Sequence, residues 1–432
     1  MTMKRAAIAA VLTHALGLSV ASAQTPQPAD EDEARPGDIG TSEPPAEGET
    51  PPEDTAPVEE ETVAEEVGAP EIDRGDGVAE TGYDKGFFIK SGDGKYALKI
   101  NARVQPFYAG TFAKDATDKH AFEIRRARLS LEGNVHTKSL TYKFQTDYGK
   151  GFLTLKDFHI DVKLAENVWL RAGQWKRPFS RQQIASSARL EIAGRALTDN
   201  SFGAGRDIGI AVRNDYEKSP DIEWVLGVFN GSGEAAKFSP TVDSMGTVTG
   251  GSFTNVPGKF KPTFIGRVGL NDGGIKGYSE ADLEGGPLRW GTAASVWIEA
   301  DRDADDVSNQ KVELDFIVKA SGFSTTGGFY GMSSQEGLKT FSDQALSHVG
   351  FHLQAGYMAT AKIQPAARFA LIDARPDFEA GSIKDQQEIA VGANYFGFGH
   401  DAKFQGSVRF IRVDDAKFTD SMFVELGANV GF

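Results

Sequence analysis

The chain has 432 residues, a net charge of −15 and no cysteine. Its charge is unevenly placed, because residues 1–80 hold 4 basic and 19 acidic side chains, whereas residues 81–432 hold 42 of each. The lack of cysteine excludes a disulfide framework and thiol chemistry. Since the main part of the chain is neutral, the overall acidity does not argue against a path for anions.

The first 23 residues predict a cleaved secretory signal peptide. Lys4 and Arg5 precede an apolar stretch over residues 6–20, and Ala21-Ser22-Ala23 has the small side chains of a cleavage site. No later segment has the ~18 consecutive apolar residues that a membrane-spanning helix needs. The exported protein is therefore expected to be either soluble or a barrel that crosses a membrane with β-strands.

Residues 24–80 are rich in Pro, Glu, Asp and Ala and contain few aromatic side chains. Such a composition cannot bury enough apolar surface to offset the loss of chain entropy on folding. It predicts a disordered acidic segment ahead of a folded domain at residues 81–432. A solvated spacer is the favoured role of the segment, and binding of a partner is the alternative.

From Lys95 onward, apolar and polar residues alternate in segments of about ten residues that Gly, Asn and Asp separate. This periodicity is typical of strands, and an even number of such strands is typical of bacterial outer-membrane barrels. The sequence predicts an all-β fold, a 16-stranded antiparallel transmembrane β-barrel with a disordered N-terminal extension. The predicted strands lie at residues 95–109, 121–133, 138–148, 152–163, 167–176, 206–214, 221–229, 261–270, 287–300, 309–319, 322–331, 347–358, 361–372, 387–396, 401–412 and 421–432.

The connections give an independent test of the barrel. Those after even-numbered strands are mostly short, and those after odd-numbered strands include residues 177–205 and 230–260, as expected for periplasmic turns and external loops. Two connections break the rule, because residues 149–151 are short for a loop and residues 271–286 are long for a turn. A soluble β-sandwich is the alternative, but its strands are shorter and its second face would not carry so many charges.

Catalytic motifs are few. The chain has no Gly-x-Ser-x-Gly elbow and no His-Glu-x-x-His run, so the sequence predicts no enzyme, no cofactor and no metal site. A hydrolase assembled from distant strands stays open as an alternative. Asp157, His159 and Asp161 alternate on one strand face, a spacing that suits a metal but also arises by default among side chains that face a lumen.

Basic residues give the strongest functional pattern. They lie on predicted lumen faces and along the connection at residues 177–205, where a loop folded into the lumen would narrow the pore and set which ions pass. The alternative is that these residues pair with lumen carboxylates or with lipopolysaccharide, and the direction in which the loop folds is left open. The predicted pore-lining and anion-binding residues are Arg103, Arg126, Arg128, Lys143, Arg171, Lys176, Arg177, Arg181, Arg189, Arg195 and Arg206.

Five segments in the first half of the predicted barrel resemble the phosphate-selective porin O/P family of Gram-negative outer membranes. The second half is similar mainly in its strand pattern and in the terminal Phe432, which resembles the assembly signal of outer-membrane barrels. The five segments are Phe122-Glu-Ile-Arg-Arg-Ala-Arg-Leu129, Asp157-Phe-His-Ile-Asp161, Leu170-Arg-Ala-Gly-Gln-Trp-Lys-Arg-Pro-Phe-Ser180, Arg206-Asp-Ile-Gly-Ile210 and Gly227-Val-Phe-Asn-Gly231.

The resemblance implies a trimeric barrel with a constriction of Arg and Lys that selects phosphate or polyphosphate. It also implies an outer-membrane location with lipid and lipopolysaccharide as neighbours, and recognition of Phe432 by the barrel assembly machinery. No nucleic-acid partner is expected. We therefore predict an outer-membrane diffusion channel that passes small anionic solutes.

Two other functions stay open from the sequence. Lumen acids such as Glu132, Asp147 and Asp157 lie among the cations, so a weakly selective general porin or a sugar porin is possible. In a sugar porin, aromatic side chains would bind the solutes. The candidates are Trp169, Trp175, Phe179 and Trp297. The other alternative is a structural anchor whose acidic N-terminal segment reaches a periplasmic partner.

Overall fold

A computed structural model describes most of the predicted barrel domain. The described residues are 77–114, 116–245, 247–300, 307–336, 348–374, 384–414 and 416–432. The predicted signal peptide at residues 1–23 lies outside them, as does nearly all of the predicted acidic segment at residues 24–80.

The described residues form twenty strands. The first ten are β1 (Glu80–Tyr83), β2 (Phe87–Lys90), β3 (Ala97–Ala113), β4 (Lys119–Asn134), β5 (Leu140–Asp147), β6 (Thr154–Ala165), β7 (Val168–Lys176), β8 (Arg206–Arg213), β9 (Ile222–Phe229) and β10 (Lys237–Val242). The other ten are β11 (Val248–Thr254), β12 (Thr263–Asp272), β13 (Arg289–Glu299), β14 (Val307–Ala320), β15 (Phe323–Glu336), β16 (His348–Tyr357), β17 (Ile363–Ala374), β18 (Gln386–Phe398), β19 (Ala402–Val413) and β20 (Ser421–Gly431).

Sixteen of these strands, β3 to β9 and β12 to β20, form a closed antiparallel barrel. Consecutive barrel strands pair, β9 pairs with β12 across the external loop, and the last strand, β20, pairs with β3. Closure leaves no barrel strand with an unpaired edge, which a lipid environment requires. The predicted fold and the predicted number of barrel strands are confirmed.

Two hairpins were not predicted. β10 and β11 pair with each other in the external loop between β9 and β12. β1 and β2 form a hairpin that pairs with the start of β3, where Lys90 lies opposite Ala97. The pairing of β20 with β3 stops at Arg103, so the hairpin occupies the part of the β3 edge that β20 does not reach.

Strand alternation separates the two surfaces of the barrel. Val104, Val268 and Phe404 point outward and are exposed, as side chains that face lipid would be. Arg267 and Gln354 point inward and are buried. The inner surface therefore carries most of the polar side chains of the strands, as the sequence pattern predicted, although apolar side chains such as Trp297 and Tyr330 also point inward and are buried.

The connection between β7 and β8 at residues 177–205 folds into the lumen. It contains two short helices, α1 (Arg181–Ile184) and α2 (Leu197–Phe202), and we call it the lumen loop. Gly350 on β16 makes room for it, because an added Cβ there would lie 2.5 Å from the Phe202 ring. Within the described part of the chain, no helix has the length and apolar character needed to cross a membrane.

The long periplasmic connection between β12 and β13 also enters the lumen, which explains its departure from the expected turn length. Its residues Tyr278, Glu280 and Asp282 are buried, and the backbone N–H of Glu280 donates to the carbonyl of Arg189 in the lumen loop at 3.1 Å. We call this connection, residues 273–288, the inner turn. By contrast, β14 and β15 are joined by Ser321 and Gly322 alone, whose φ values of 51° and 84° suit a two-residue hairpin turn.

The lumen loop and the inner turn carry an apolar core inside the barrel. Aromatic side chains of the lumen loop pack against those of the facing wall, and the cluster occupies the side of the lumen next to β8 to β17. Space remains on the opposite side, beside β3 to β7. The large members of the core are Trp175, Phe179, Phe202, Tyr216, Phe229, Tyr278, Trp297 and Tyr330.

Candidate functional site

A cavity of about 530 Å³ stays open between the lumen loop and the wall formed by β3 to β7. Lys85, Asp401 and Phe432 line one end, which is the periplasmic end because both termini of a bacterial barrel lie on that side. Lys176 and Arg206 line it where β7 ends and β8 begins. The space therefore extends along the barrel, and we call it the basic cavity.

The lining of the basic cavity contains nine basic and four acidic side chains. The basic ones are Lys85, Lys99, Arg103, Arg128, Lys143, Arg171, Lys176, Arg189 and Arg206. The acidic ones are Glu132, Asp157, Glu217 and Asp401. Seven of the eleven residues predicted from the sequence are thus brought together around one space.

Arg103 and Arg128 lie directly opposite each other on β3 and β4. Arg128 donates from Nε to the Asp147 carboxylate at 2.6 Å. Arg103 instead donates to the hydroxyls of Ser186 and Ser187 in the lumen loop, at 3.0 and 3.2 Å. Arg103 thus keeps its charge without an ion pair among the described residues, beside a second guanidinium that adds to the positive potential.

Most other wall cations are paired with acids. Lys143 lies 3.1 Å from Glu132, and Arg206 lies 2.8 Å from Asp157. Arg171 contacts Asp161 at 2.9 Å and Glu217 at 3.1 Å. These pairs fix the side chains in place and cancel part of the charge.

Two further cations of the lining are associated with the lumen loop: Lys176 anchors it to the wall, and Arg189 belongs to it. Lys176 donates from Nζ to the carbonyls of Gln183, Ile184 and Ala185 at 2.8, 3.2 and 2.8 Å, which ties the beginning of the loop to the wall. Arg189 is exposed to the cavity. Across the described ranges, no acid lies within ion-pair distance of Lys85, Arg103, Lys176 or Arg189.

The structure places Arg181 and Arg177 outside the lining of the basic cavity. Arg181 is 3% exposed and donates to Asp315 on β14 at 2.7 Å and to the Gly277 carbonyl at 3.0 Å. Arg177 lies over the Trp297 ring, 4.4 Å from its centroid. Arg181 follows the alternative stated from the sequence, in which loop arginines pair with lumen carboxylates. It does so because the loop folds inward and contacts buried acids on the far wall.

Arg195 and Arg126 also lie outside the lining of the basic cavity. Arg195 donates to the Gln182 carbonyl at 3.1 Å within the lumen loop and lies 3.8 Å from Asp199. Arg126 donates to Gln105 at 3.2 Å. Of the four loop arginines beyond Lys176, only Arg189 is part of the lining.

Two lining cations were missed as site residues. Lys99 lies on the same face of β3 as Arg103, so strand alternation would have identified it. Lys85 lies in the turn of the β1–β2 hairpin with φ of 48°, and no periodicity in the sequence indicates that this turn reaches the cavity.

The alternating Asp157, His159 and Asp161 do not form a metal centre in this arrangement. Asp157 is engaged by Arg206, and Asp161 is engaged by Arg171 and Arg213, which donates to it at 2.9 Å. A search of the described ranges found no group of three or more potential metal-ligating side chains.

A buried pair of carboxylates joins the lumen loop to the inner turn. The Glu191 backbone N–H donates to Glu280 Oε2 at 2.7 Å, and Gln354 Nε2 donates to both Glu191 Oε2 and Glu280 Oε2, at 3.0 and 2.7 Å. Burial and the nearby Glu280 raise the pKa of Glu191 to about 7. A carboxylate pair this close keeps one proton near neutrality.

A model of the family described as phosphate-selective porin O and P matches residues 97–269. The resemblance to this family is confirmed. The match runs from β3 into β12 and includes the lumen loop and most of the lining of the basic cavity. The description of this family is that of a porin, and a closed barrel with an apolar outer surface is the fold of proteins that span the outer membrane of Gram-negative bacteria.

Solved porins share the barrel fold of this chain at low sequence identity. An anion-selective porin from Comamonas acidovorans is 13% identical with a TM-score of 0.52, covering 78% of this chain and 99% of its own. OprB from Pseudomonas putida is 9% identical with a TM-score of 0.52, covering 78% and 94%. OmpF from Salmonella typhi is 13% identical with a TM-score of 0.51, covering 82% and 100%. A search of curated proteins found no match.

Proposed function

We propose that this porin is an outer-membrane diffusion channel for small anions. The observation that carries the proposal is the basic cavity, in which Lys85, Arg103, Lys176 and Arg189 have no acid partner among the described residues. At an effective dielectric constant of about 20, one unit charge ~4 Å away contributes about 4 kcal/mol before desolvation. Even a fraction of that energy favours anions over cations severalfold in a confined path.

The comparisons support the same proposal. The matching family is described as phosphate-selective, and one of the similar solved structures is described as an anion-selective porin. Phosphate and polyphosphate are therefore the candidate substrates. A homotrimer, export by the signal at residues 1–23 and assembly through Phe432 belong to the proposal as well.

A sugar porin is less favoured, because three of the four aromatic side chains that would bind sugars are almost completely buried, including Trp175, which borders the basic cavity. Phe179 and Trp297 are 0% and 3% exposed and belong to the apolar core between the lumen loop and the wall. Trp175 belongs to the same core and is 2% exposed. Buried rings cannot stack on a passing sugar.

The test is the reversal potential of purified protein in planar bilayers with a KCl gradient. The double variant Arg103→Gln and Arg189→Gln removes two unpaired cations, so the ratio of anion to cation permeability should fall severalfold at low salt. The difference should shrink near 1 M KCl, where the screening length is about 3 Å. Reversal potentials equal to those of the wild type at low salt would overturn the proposal.

Two controls separate charge from side-chain packing. Arg189→Lys keeps the charge and should retain wild-type selectivity. Lys362→Gln removes a cation from an exposed residue of the turn after β16 and should leave the reversal potential unchanged. Phosphate in the KCl solution should reduce the chloride current of the wild type more than that of the double variant.

A further inference from the structure

We infer that Glu234, in the external loop between β9 and β12, is a specificity-determining residue of the channel. Its carboxylate neutralises two cations at the outer end of the basic cavity and so limits the preference for anions. The inference rests on the proposed anion channel and adds an acid, carried by a loop rather than by the barrel wall, that sets the strength of this preference.

Four charged side chains meet at the outer end of the basic cavity, and we call them the outer ion cluster. Glu234 Oε1 lies 2.6 Å from Lys156 Nζ, and Glu234 Oε2 lies 3.7 Å from Arg206 Nη1. Arg206 Nε donates to Asp157 Oδ1 at 2.8 Å. Both Arg206 and Asp157 line the basic cavity. The contact with Arg206 therefore places the Glu234 carboxylate directly beside the lining.

The outer ion cluster is electrically neutral and shielded from solvent. It contains two cations and two carboxylates, and its side chains are only 3–15% exposed. Further along the cavity, Arg103, Lys176 and Arg189 have no acid partner among the described residues. The positive potential of the cavity is therefore cancelled at the outer end, and Glu234 supplies half of the compensating charge there.

The external loop is fixed on both sides of the β10–β11 hairpin. Before the hairpin, the Gly231 backbone N–H donates to Asp207 Oδ2 at 2.7 Å. After the hairpin, Asn255 Nδ2 donates to Gln174 Oε1 at 2.8 Å. These contacts tie the loop to the ends of β7 and β8, so that Glu234 occupies a defined position next to the outer ion cluster.

Removal of the Glu234 charge would leave one uncompensated cation at the outer end of the path. Fixed charges along a pore set which ions pass, and a positive potential raises the local concentration of anions. The ratio of anion to cation permeability should therefore rise severalfold at low salt in Glu234→Gln. The rise should shrink near 1 M KCl, where the screening length is about 3 Å.

The experiment is a charge cycle measured as reversal potentials in planar bilayers with a KCl gradient. It compares the wild type, Glu234→Gln, Lys156→Gln and the double variant. Glu234→Gln should shift the reversal potential toward anions, and Lys156→Gln should shift it toward cations. The double variant should return close to the wild type, because the outer ion cluster is then neutral again. A loosened loop would instead move both single variants in the same direction.

A matched control removes an equal charge from the same loop at a different place. Asp243, in the turn between β10 and β11, accepts from the backbone N–H groups of Met245 and Thr247 at 2.8 and 2.9 Å. Asp243→Asn keeps an acceptor there and should give the wild-type reversal potential. Glu234→Asp keeps the charge and should stay closer to the wild type than Glu234→Gln does.

The outcomes separate this inference from the proposed function. Equal reversal potentials of the wild type and Glu234→Gln at low salt would overturn the inference. A shift of the same size in Asp243→Asn would also overturn it, as would shifts of both single variants in one direction. A wild type that prefers cations would overturn the anion channel instead, and the shift of Glu234→Gln relative to that wild type would still be measurable.

Discussion

Arginine side chains occupy two different environments inside this barrel. Arg181 and Arg267 are buried and both donate to Asp315, at 2.7 and 2.6 Å, so their charges are compensated within the wall. Arg103 and Arg189 line the basic cavity without an acid partner among the described residues. The same residue type therefore fixes the lumen loop in one place and sets the potential of the cavity in the other.

The substitution Arg181→Gln should destabilise the barrel. It leaves a buried carboxylate with one fewer partner, and breaking a buried ion pair costs about 3–5 kcal/mol. We expect the lower end of that range, because Arg267 still compensates Asp315. The temperature at which the folded band converts to the unfolded band in detergent gels should fall. Arg181→Lys should recover part of the lost stability. If Arg181→Gln were as stable as the wild type, the ion pair with Asp315 would not stabilise the barrel.

At the scale of elements, the lumen loop and the inner turn hold each other in place. Their contact depends on the Glu191–Glu280 pair, which Ser324, Gln354 and Gln364 surround with hydrogen-bond donors. Lys319 and Lys403 also act on Glu191 electrostatically. The two elements come from opposite ends of the barrel, so their contact fixes how much of the lumen stays open.

The contact between these elements should weaken as the pH rises. The pKa of Glu191 is raised to about 7 in the folded chain, so its stabilising contribution is present below about 4.5 and is lost as the pH rises through about 7. Single-channel current fluctuations should increase between about pH 4.5 and 7, because the stabilising contribution declines over the interval between the two pKa values. Glu191→Gln, which keeps an acceptor and carries no charge, should show no such increase. Wild-type current fluctuations that do not change with pH would contradict a role of the Glu191 proton in this contact.

At the scale of the whole molecule, stability comes from two sources. Closure pairs β20 with β3 and leaves no free barrel edge, and the apolar core between the lumen loop and the wall fills one side of the lumen. The outer surface carries exposed apolar side chains such as Val104, Val268 and Phe404, which water does not stabilise. The molecule is therefore stable in lipid or detergent, with a cavity confined to one side.

We predict that the barrel is heat-modifiable. Unboiled samples in detergent gels should migrate differently from boiled samples, because opening the barrel requires the simultaneous loss of a whole strand pairing. A trimer would appear as a larger unboiled band that dissociates before the barrel unfolds. Identical mobility together with a helical circular dichroism spectrum would contradict the fold.

The sequence by itself determined the barrel, because a period of two in the side chains decides which residues face lipid and which face the lumen. For the same reason the sequence indicated which strand residues face the lumen, because the alternation of side chains depends only on neighbouring residues. These residues are Arg103, Arg128, Lys143, Arg171 and Arg206. It also indicated that residues 271–286 were too long for a turn, although it gave no reason.

Only the tertiary structure decided which cations remain without an acid partner. Residues 177–205 have no period, so the position of each arginine there depends on which distant strand the folded loop meets. Arg181 donates to Asp315, which is 134 residues away in the sequence, whereas Arg189 lines the open cavity. The charge that a pore presents to solutes comes from the side chains that remain unpaired after such long-range ion pairs have formed. These ion pairs depend on the closure of the whole barrel.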